Sequence, residues 1–311
     1  MSTNTVSEAA PLRARPSLVV VLGMALLTVV IIVLAIAGGA GELTAPKAIV
    51  LGAVEGITEF LPVSSTGHLL ITQRLLGLGT GSGKTAADTY AVAIQLGAIL
   101  AVVLLYRRRI VQMASGLIGR DPEGRTVLIR LAIAFAPAAV IGVALDHTIK
   151  DRLFGPWPVI AAWAIGGVFL LWWKPRIGTG TITDITVRGA LIIGFAQSLA
   201  LWPGVSRSLV TIVAALAIGC NMAATLEFSF LLGLATLSAA TALDLAKDGH
   251  TLVADYGWKT PLLGGLVAFA TAVAAVRWLV SYLRTRPLTI FGWYRLFMAA
   301  VAVVLIVTGA I

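Results

Sequence analysis

The chain has 311 residues, of which 59% are hydrophobic and only 12% charged, and its mean hydropathy is +0.97. That balance excludes an ordinary soluble domain; with long apolar runs separated by short polar loops, it reads as an all-α integral membrane protein. The net charge of +9 does not point to nucleic acid, because the basic residues sit in the loops between apolar runs, where they set orientation.

In chain order, residues 1–16 form a polar tail carrying Arg13 and Arg15. The apolar run that follows exceeds the roughly 7–15 residues of a secretory core, so 17–46 reads as a retained anchor helix and loop. The small residues "AGGAG" after it keep cleavage open as the alternative. Further spans are expected near 88–106, 129–146, 157–173, 223–245, 260–283 and 291–311. Two more apolar regions, about 47–77 and 188–219, are interrupted midway by Pro62 and by Pro203-Gly204. Their pieces are too short to cross ~30 Å of hydrocarbon at about 1.5 Å per residue, so each is expected to be a re-entrant hairpin.

Charge tests that arrangement. With Arg13 and Arg15 in the cytoplasm, the intracellular segments hold 14 of the 23 Lys and Arg: two in the tail, six in 107–130, three in 174–188 and three in 284–295. Outside loops hold seven, and Arg207 and Arg277 lie within apolar segments. Reading both interrupted regions as full crossings would instead expose the six arginines of 107–130 outside, against the positive-inside rule. The consequence is an inverted-topology repeat: 47–173 and 188–311, each a hairpin plus three spans, joined by a cytoplasmic linker at 174–187. Aligning Pro62 with Pro203 sets Ser65 opposite Ser206. Paired broken helices point to a binding site where the breaks meet.

The first break reads "EGITEFLPVSSTGHL", residues 55–69. Glu55 and Glu59 are spaced to share a helix face, where two acids need a cation (Mg²⁺ or Ca²⁺) or a shared proton between them. Ser64, Ser65 and Thr66 open the returning half-helix, whose free N–H groups favour an anion, although one of the three is expected to be a plain N-cap. His68 follows Ser65 by three residues and so shares its face, a pairing suited to nucleophilic chemistry. In the second break Arg207 stands between Ser206 and Ser208, and its fork suits a phosphate; a counter-ion to Glu55 or Glu59 is the structural alternative.

Elsewhere the chemistry is thinner. Cys220 is the single cysteine, which excludes a disulfide framework and a thiolate cluster. His147 and His250 are expected in solvated outside loops, and Glu227 and Asp244 near the ends of one span. Trp157, Trp163, Trp172, Trp173 and Trp258 read as interfacial anchors. "GTGSGKT" at 79–85 lacks the preceding strand a phosphate loop needs.

The two break motifs, with "PGVSRS" at 203–208, "IQLGAILAV" at 94–102 and "EFSFLLG" at 227–233, resemble the undecaprenyl-diphosphate phosphatase family, the bacitracin-resistance phosphatases, over about 47–311. The resemblance implies hydrolysis of the lipid carrier of cell-wall synthesis from diphosphate to monophosphate, with a divalent cation, in the bacterial inner membrane at a site open to the periplasm. It places the glutamate motif on Glu55 and Glu59, the serine-histidine motif on Ser64, Ser65, Thr66 and His68, and the arginine motif on Ser206, Arg207, Ser208 and Thr211. Glu55 and Glu59 would hold the cation. Either Ser65 attacks phosphorus with His68 moving the proton, or His68 attacks. Leu209 and Val210 stand where the family has small residues, Ala91 where a glutamate is expected, and the first span is an addition. The expected partners are a polyprenyl diphosphate and membrane lipids, with a homodimer left open. A polyprenyl-phosphate flippase is the alternative on the same architecture, and a catalytically inactive lipid-binding paralogue a further one.

Overall fold

A computed structural model describes residues 43–78 and 84–311. The expected tail, the anchor helix at 17–38 and most of "GTGSGKT" lie outside the described residues. Those residues form eleven α-helices, two 3₁₀ turns and no strand, with one isolated backbone bridge joining Gly180 to Cys220.

The first half begins with α1 (Ala45–Thr58) and α2 (Ser65–Leu75), which flank the Pro62 break. Pro62 has no N–H to return to the preceding turn and disfavours helical backbone at Leu61, so α1 stops there. Three further long helices follow, α3 (Lys84–Leu105), α5 (Pro122–Leu153) and α6 (Pro156–Trp172), with a short α4 (Arg107–Leu117) between the first two. The Asp121 side chain caps α5, accepting the Gly124 N–H at 2.8 Å. The second half repeats the pattern: α7 (Val187–Ser198) and α8 (Arg207–Ala217) flank the Pro203 break, then α9 (Met222–Tyr256), α10 (Lys259–Leu283) and α11 (Thr289–Val307).

Five helices, α3, α5, α9, α10 and α11, are long and apolar enough to cross a membrane. The expected span at 157–173 is a 17-residue helix, at the lower limit for crossing. With large apolar side chains such as Val143, Leu100 and Leu266 exposed on their outer faces, the chain is a multi-pass membrane protein: in water such a surface would aggregate, in lipid it is solvated. The helices α5 and α9, of 32 and 35 residues, outrun the spans expected at 129–146 and 223–245. Hydropathy measures the apolar part of a helix, whereas backbone hydrogen bonding continues through its polar ends. His147 and His250 accordingly sit on exposed helical turns rather than in loops. The segment 107–128, expected to be a loop, contains α4, packed on α5.

Within each interrupted region the two short helices pack on each other. At 11 to 14 residues none is long enough for a full crossing. A central core of Phe60, Leu61, Leu209, Phe230, Val276, Leu279 and Phe291 lies where the two breaks meet. Leu209 is part of that core, so its bulk fills packing space. Two charge and tryptophan expectations are corrected here. Arg295, counted above as cytoplasmic, is 1% exposed in the body of α11, and Trp163, read as an interfacial anchor, is fully buried. In both cases position relative to a span end misled, because tertiary contacts and not hydropathy decide which way a helix face turns. Trp157, Trp172 and Trp258 are exposed, as anchors require.

Candidate active site

Both breaks re-enter a helix through a serine in the left-handed region: Ser64 at φ 73° and Ser206 at φ 75°, the only non-glycine residues with positive φ among those described. Each is an N-cap. Ser64 accepts the Gly67 N–H at 3.4 Å, and Ser206 accepts the Leu209 N–H at 3.3 Å. Their matching roles correct the proline-based register, because Ser64 and not Ser65 is the counterpart of Ser206. The cap must stand one residue before the first helical turn, wherever the proline falls. Ser65 therefore matches Arg207.

The first break supplies acids and hydroxyls. Glu59 closes α1, its N–H bonding the Glu55 carbonyl at 2.9 Å, so the two acids do lie one turn apart. Glu59 Oε2 accepts the Ser65 hydroxyl, and Glu59 Oε1 accepts Arg207 at 3.0 Å from the second break. Glu55 is fully buried, and neither of its carboxylate oxygens has a hydrogen-bond partner. Thr66 is the more exposed of the hydroxyls here.

His68 is held on both ring nitrogens. Because a carbonyl only accepts, Nδ1 donates to the Ser64 oxygen at 2.6 Å, which leaves Nε2 to accept the Tyr294 hydroxyl at 2.8 Å. Tyr294 also stacks on the imidazole with ring planes 4° apart, and Trp163 lies 4.9 Å from it on another side while donating to the Val63 oxygen. Ser65 and His68 thus share a helix but use different partners.

The second break supplies the cation. Arg207 bonds Glu59 through one terminal nitrogen and the Ser229 carbonyl at 3.1 Å through the other, with its carbon 5.7 Å from the centre of the Phe60 ring. It lies so close to Gly233 that a Cβ there would come within 2.1 Å of it. The hydroxyls behind it brace the frame: Ser208 donates to the Leu61 oxygen at 2.8 Å, Ser206 lies 3.0 Å from Ser208, and Thr211 bonds Arg207's own carbonyl and the Ser229 hydroxyl. "EFSFLLG" therefore contributes Ser229 and Gly233 to the arginine's seat, while its Glu227 pairs with Arg109 at 2.6 Å.

The structure thus joins Ser65, Glu59 and Arg207 between the two breaks, with Ser206, Ser208 and Thr211 bracing the arginine's side. His68 is held by Ser64 and Tyr294, and Glu55 bonds none of them. Sequence reasoning missed Tyr294, Arg295 and the role of Trp163. Only Arg295, a cation well inside the expected 291–311 span, carried a signal that could have been read.

Residues 48–301 match the family model for bacitracin resistance protein BacA. The chain belongs to the BacA family. It is 45% identical over 260 residues, 81% of this chain and 83% of the relative, to the undecaprenyl-diphosphatase of Sorangium cellulosum. It is 44% identical to undecaprenyl-diphosphatase 1 of Paraburkholderia xenovorans over 82% of this chain and 92% of that protein. Undecaprenyl-diphosphatase 2 of Rhodospirillum rubrum is also 44% identical, over 80% and 90% respectively.

Proposed function

We propose that this protein hydrolyses undecaprenyl diphosphate to the monophosphate and inorganic phosphate within the membrane. The observation that carries the reading is the contact of the breaks: a nucleophilic hydroxyl, an acid and a guanidinium joined in one chain, Ser65–Glu59–Arg207, in a family member whose relatives bear that activity in their names. A flippase would need the cation and the helix ends but no paired nucleophile, so this chain favours the phosphatase.

In the proposed reaction the terminal phosphate lies at the start of α2, whose free N–H groups favour an anion. Arg207 turns from Glu59 toward the phosphate oxygens, a change of partner that its planar fork allows. Ser65 Oγ forms a bond to the terminal phosphorus as its proton passes to Glu59 Oε2, and the bridging P–O bond breaks to release the lipid monophosphate. Water then attacks the phosphoserine, restoring Ser65 and freeing inorganic phosphate. His68, held on both nitrogens, shapes the wall at α2 and supports Ser64 rather than attacking. Of the two nucleophiles the sequence left open the geometry favours the serine, with Glu59 rather than His68 as the group that takes its proton.

A divalent cation fits the donor set. Glu55 offers two partnerless buried oxygens beside Glu59, and among the described residues no group of three His, Cys, Asp or Glu gathers. Such a partial shell suits Mg²⁺, which is commonly held by one or two carboxylates together with substrate phosphate, more than Ca²⁺ with its six to eight oxygens. When bound it would neutralise diphosphate charge.

The same reading includes an inverted repeat opening to the periplasm. Support comes from exchanged packing: α1 lies on α10 of the second half and α7 on α5 of the first, while α3 meets α9 and α6 meets α11. At matching positions Gly52 presses on the Gly264 backbone and Gly194 on that of Ala134, both too close for a Cβ. Phosphate release from undecaprenyl diphosphate by detergent-solubilised protein, with and without chelator, tests the function where transport is impossible; absence of release with added Mg²⁺ would refute it. With Cys220 replaced by alanine, Thr85→Cys and Arg120→Cys should label from opposite sides with an impermeant reagent, and labelling from the same side would break the repeat.

A further inference from the structure

Arg295 carries a charge to a place where none is expected. It is 1% exposed, and its guanidinium donates to three backbone carbonyls: Ala162 and Gly204 at 2.8 Å and Pro62 at 3.4 Å. No carboxylate pairs with it among the described residues. A charge at membrane depth costs at least ~2.5–3.5 kcal/mol on insertion scales, so this arrangement is not a passive one.

The choice of carbonyls is specific. Pro62 lies midway between Glu59 and Ser65, and Gly204 three residues before Arg207. With Ser64 and Ser206 as matching caps, Pro62 and Gly204 occupy the same position in the two breaks. Each break leaves carbonyls without helical donors, and one planar fork reaches both. The neighbouring residue on α11, Tyr294, bonds His68, so a single turn of α11 touches both breaks and the imidazole. Room for the guanidinium exists because residue 166 is glycine: a Cβ there would come within 2.5 Å of the Arg295 terminal nitrogen.

We propose that Arg295 is a positioning residue that ties the two breaks together and so fixes the separation of Ser65 and Glu59 from Arg207. The proposal rests on the reading of that trio as the hydrolytic site. Misplacement of reacting groups by about 1 Å can cost a hundredfold in rate, so loss of the tie should act on turnover more than on affinity.

The test compares wild type with Arg295→Lys, which keeps the charge but reaches fewer carbonyls, at a temperature well below the unfolding midpoint of each and per folded molecule. The expected result is a kcat lower by about ten- to a hundredfold with KM within about threefold. Proteins carrying 5-fluorotryptophan supply a second readout. Trp163, bonded to Val63 in the first break, and Trp202, bonded to the Pro158 carbonyl from the second, should shift their ¹⁹F resonances, while those of exposed Trp157, Trp172 and Trp258 stay in place. If Arg295→Lys fails to fold, Gly166→Ala displaces the guanidinium without removing it and should give a smaller loss of kcat with the same two shifts. Unchanged kcat in a folded variant, a loss carried by KM alone, or lost turnover with unmoved Trp163 and Trp202 resonances would each overturn the proposal. A wild-type protein that releases no phosphate would instead refute the underlying function.

Discussion

The first break, around Pro62, and the second, around Pro203, follow one backbone course: a helix stopped by a proline, a serine cap at φ 73° or 75°, and an 11-residue helix beyond. Their side chains diverge. Where the first has Glu55, Glu59 and Ser65, the second, at the same register, has Gln197, Leu201 and Arg207. The two breaks thus bring two helix starts together, one carrying acids and a hydroxyl and the other a cation. Because the side chains of the two breaks differ, Glu59 serves two partners at once: one comes from its own break and one from the other.

The largest expected effect comes from undoing the cross-break contact. Arg207→Lys retains charge but loses the planar fork that bonds Glu59 and the Ser229 carbonyl and would exchange Glu59 for a phosphate. Charge-assisted bonds contribute about 1.5–3 kcal/mol each, so turnover should fall roughly ten- to several-hundred-fold, with the protein still inserting normally. Because the arginine is also Glu59's counter-ion, Arg207→Ala should lower the thermal midpoint in detergent as well. An active, normally stable Arg207→Lys protein would reduce the second break to scaffolding.

Next in size is Glu55→Gln. Removing one carboxylate charge from the pair should raise the Mg²⁺ concentration needed for half-maximal phosphate release by about tenfold or more, with maximal turnover also reduced. A metal titration identical to wild type would make Glu55 structural, like its counterpart Gln197.

A smaller effect is expected at Tyr294. Tyr294→Phe keeps the ring stacked on His68 but removes the hydroxyl that Nε2 accepts, leaving a buried acceptor unmet at a cost of about 1–3 kcal/mol. Turnover should fall several-fold with little change in KM. Complete loss of turnover would instead restore His68 to the reacting atoms.

The smallest effect, and the sharpest comparison of the two breaks, is at Gln197. Both ends of its amide are buried without partners, so Gln197→Leu should leave turnover within about twofold and raise stability by about 1 kcal/mol, since it removes an unmet desolvation cost. Loss of activity would show that the second break has chemistry of its own.

The sequence by itself determined the class of molecule, its family and the two breaks. Apolar runs, prolines without an N–H and acids one turn apart act through neighbours within a few residues, and such signals survive in a linear reading. It misjudged how far α5 and α9 extend, overlooked α4 in a loop, and paired Ser65 with His68 because they share a helix. Only the tertiary structure decided that Ser65 bonds Glu59, that Arg207 reaches across from the other half, that His68 is held by Tyr294, and that Arg295 and Trp163 face inward. Each of those contacts is a choice among partners for a polar group buried inside the protein. Which partner is near enough depends on how helices from the two halves pack, and local spacing does not encode that.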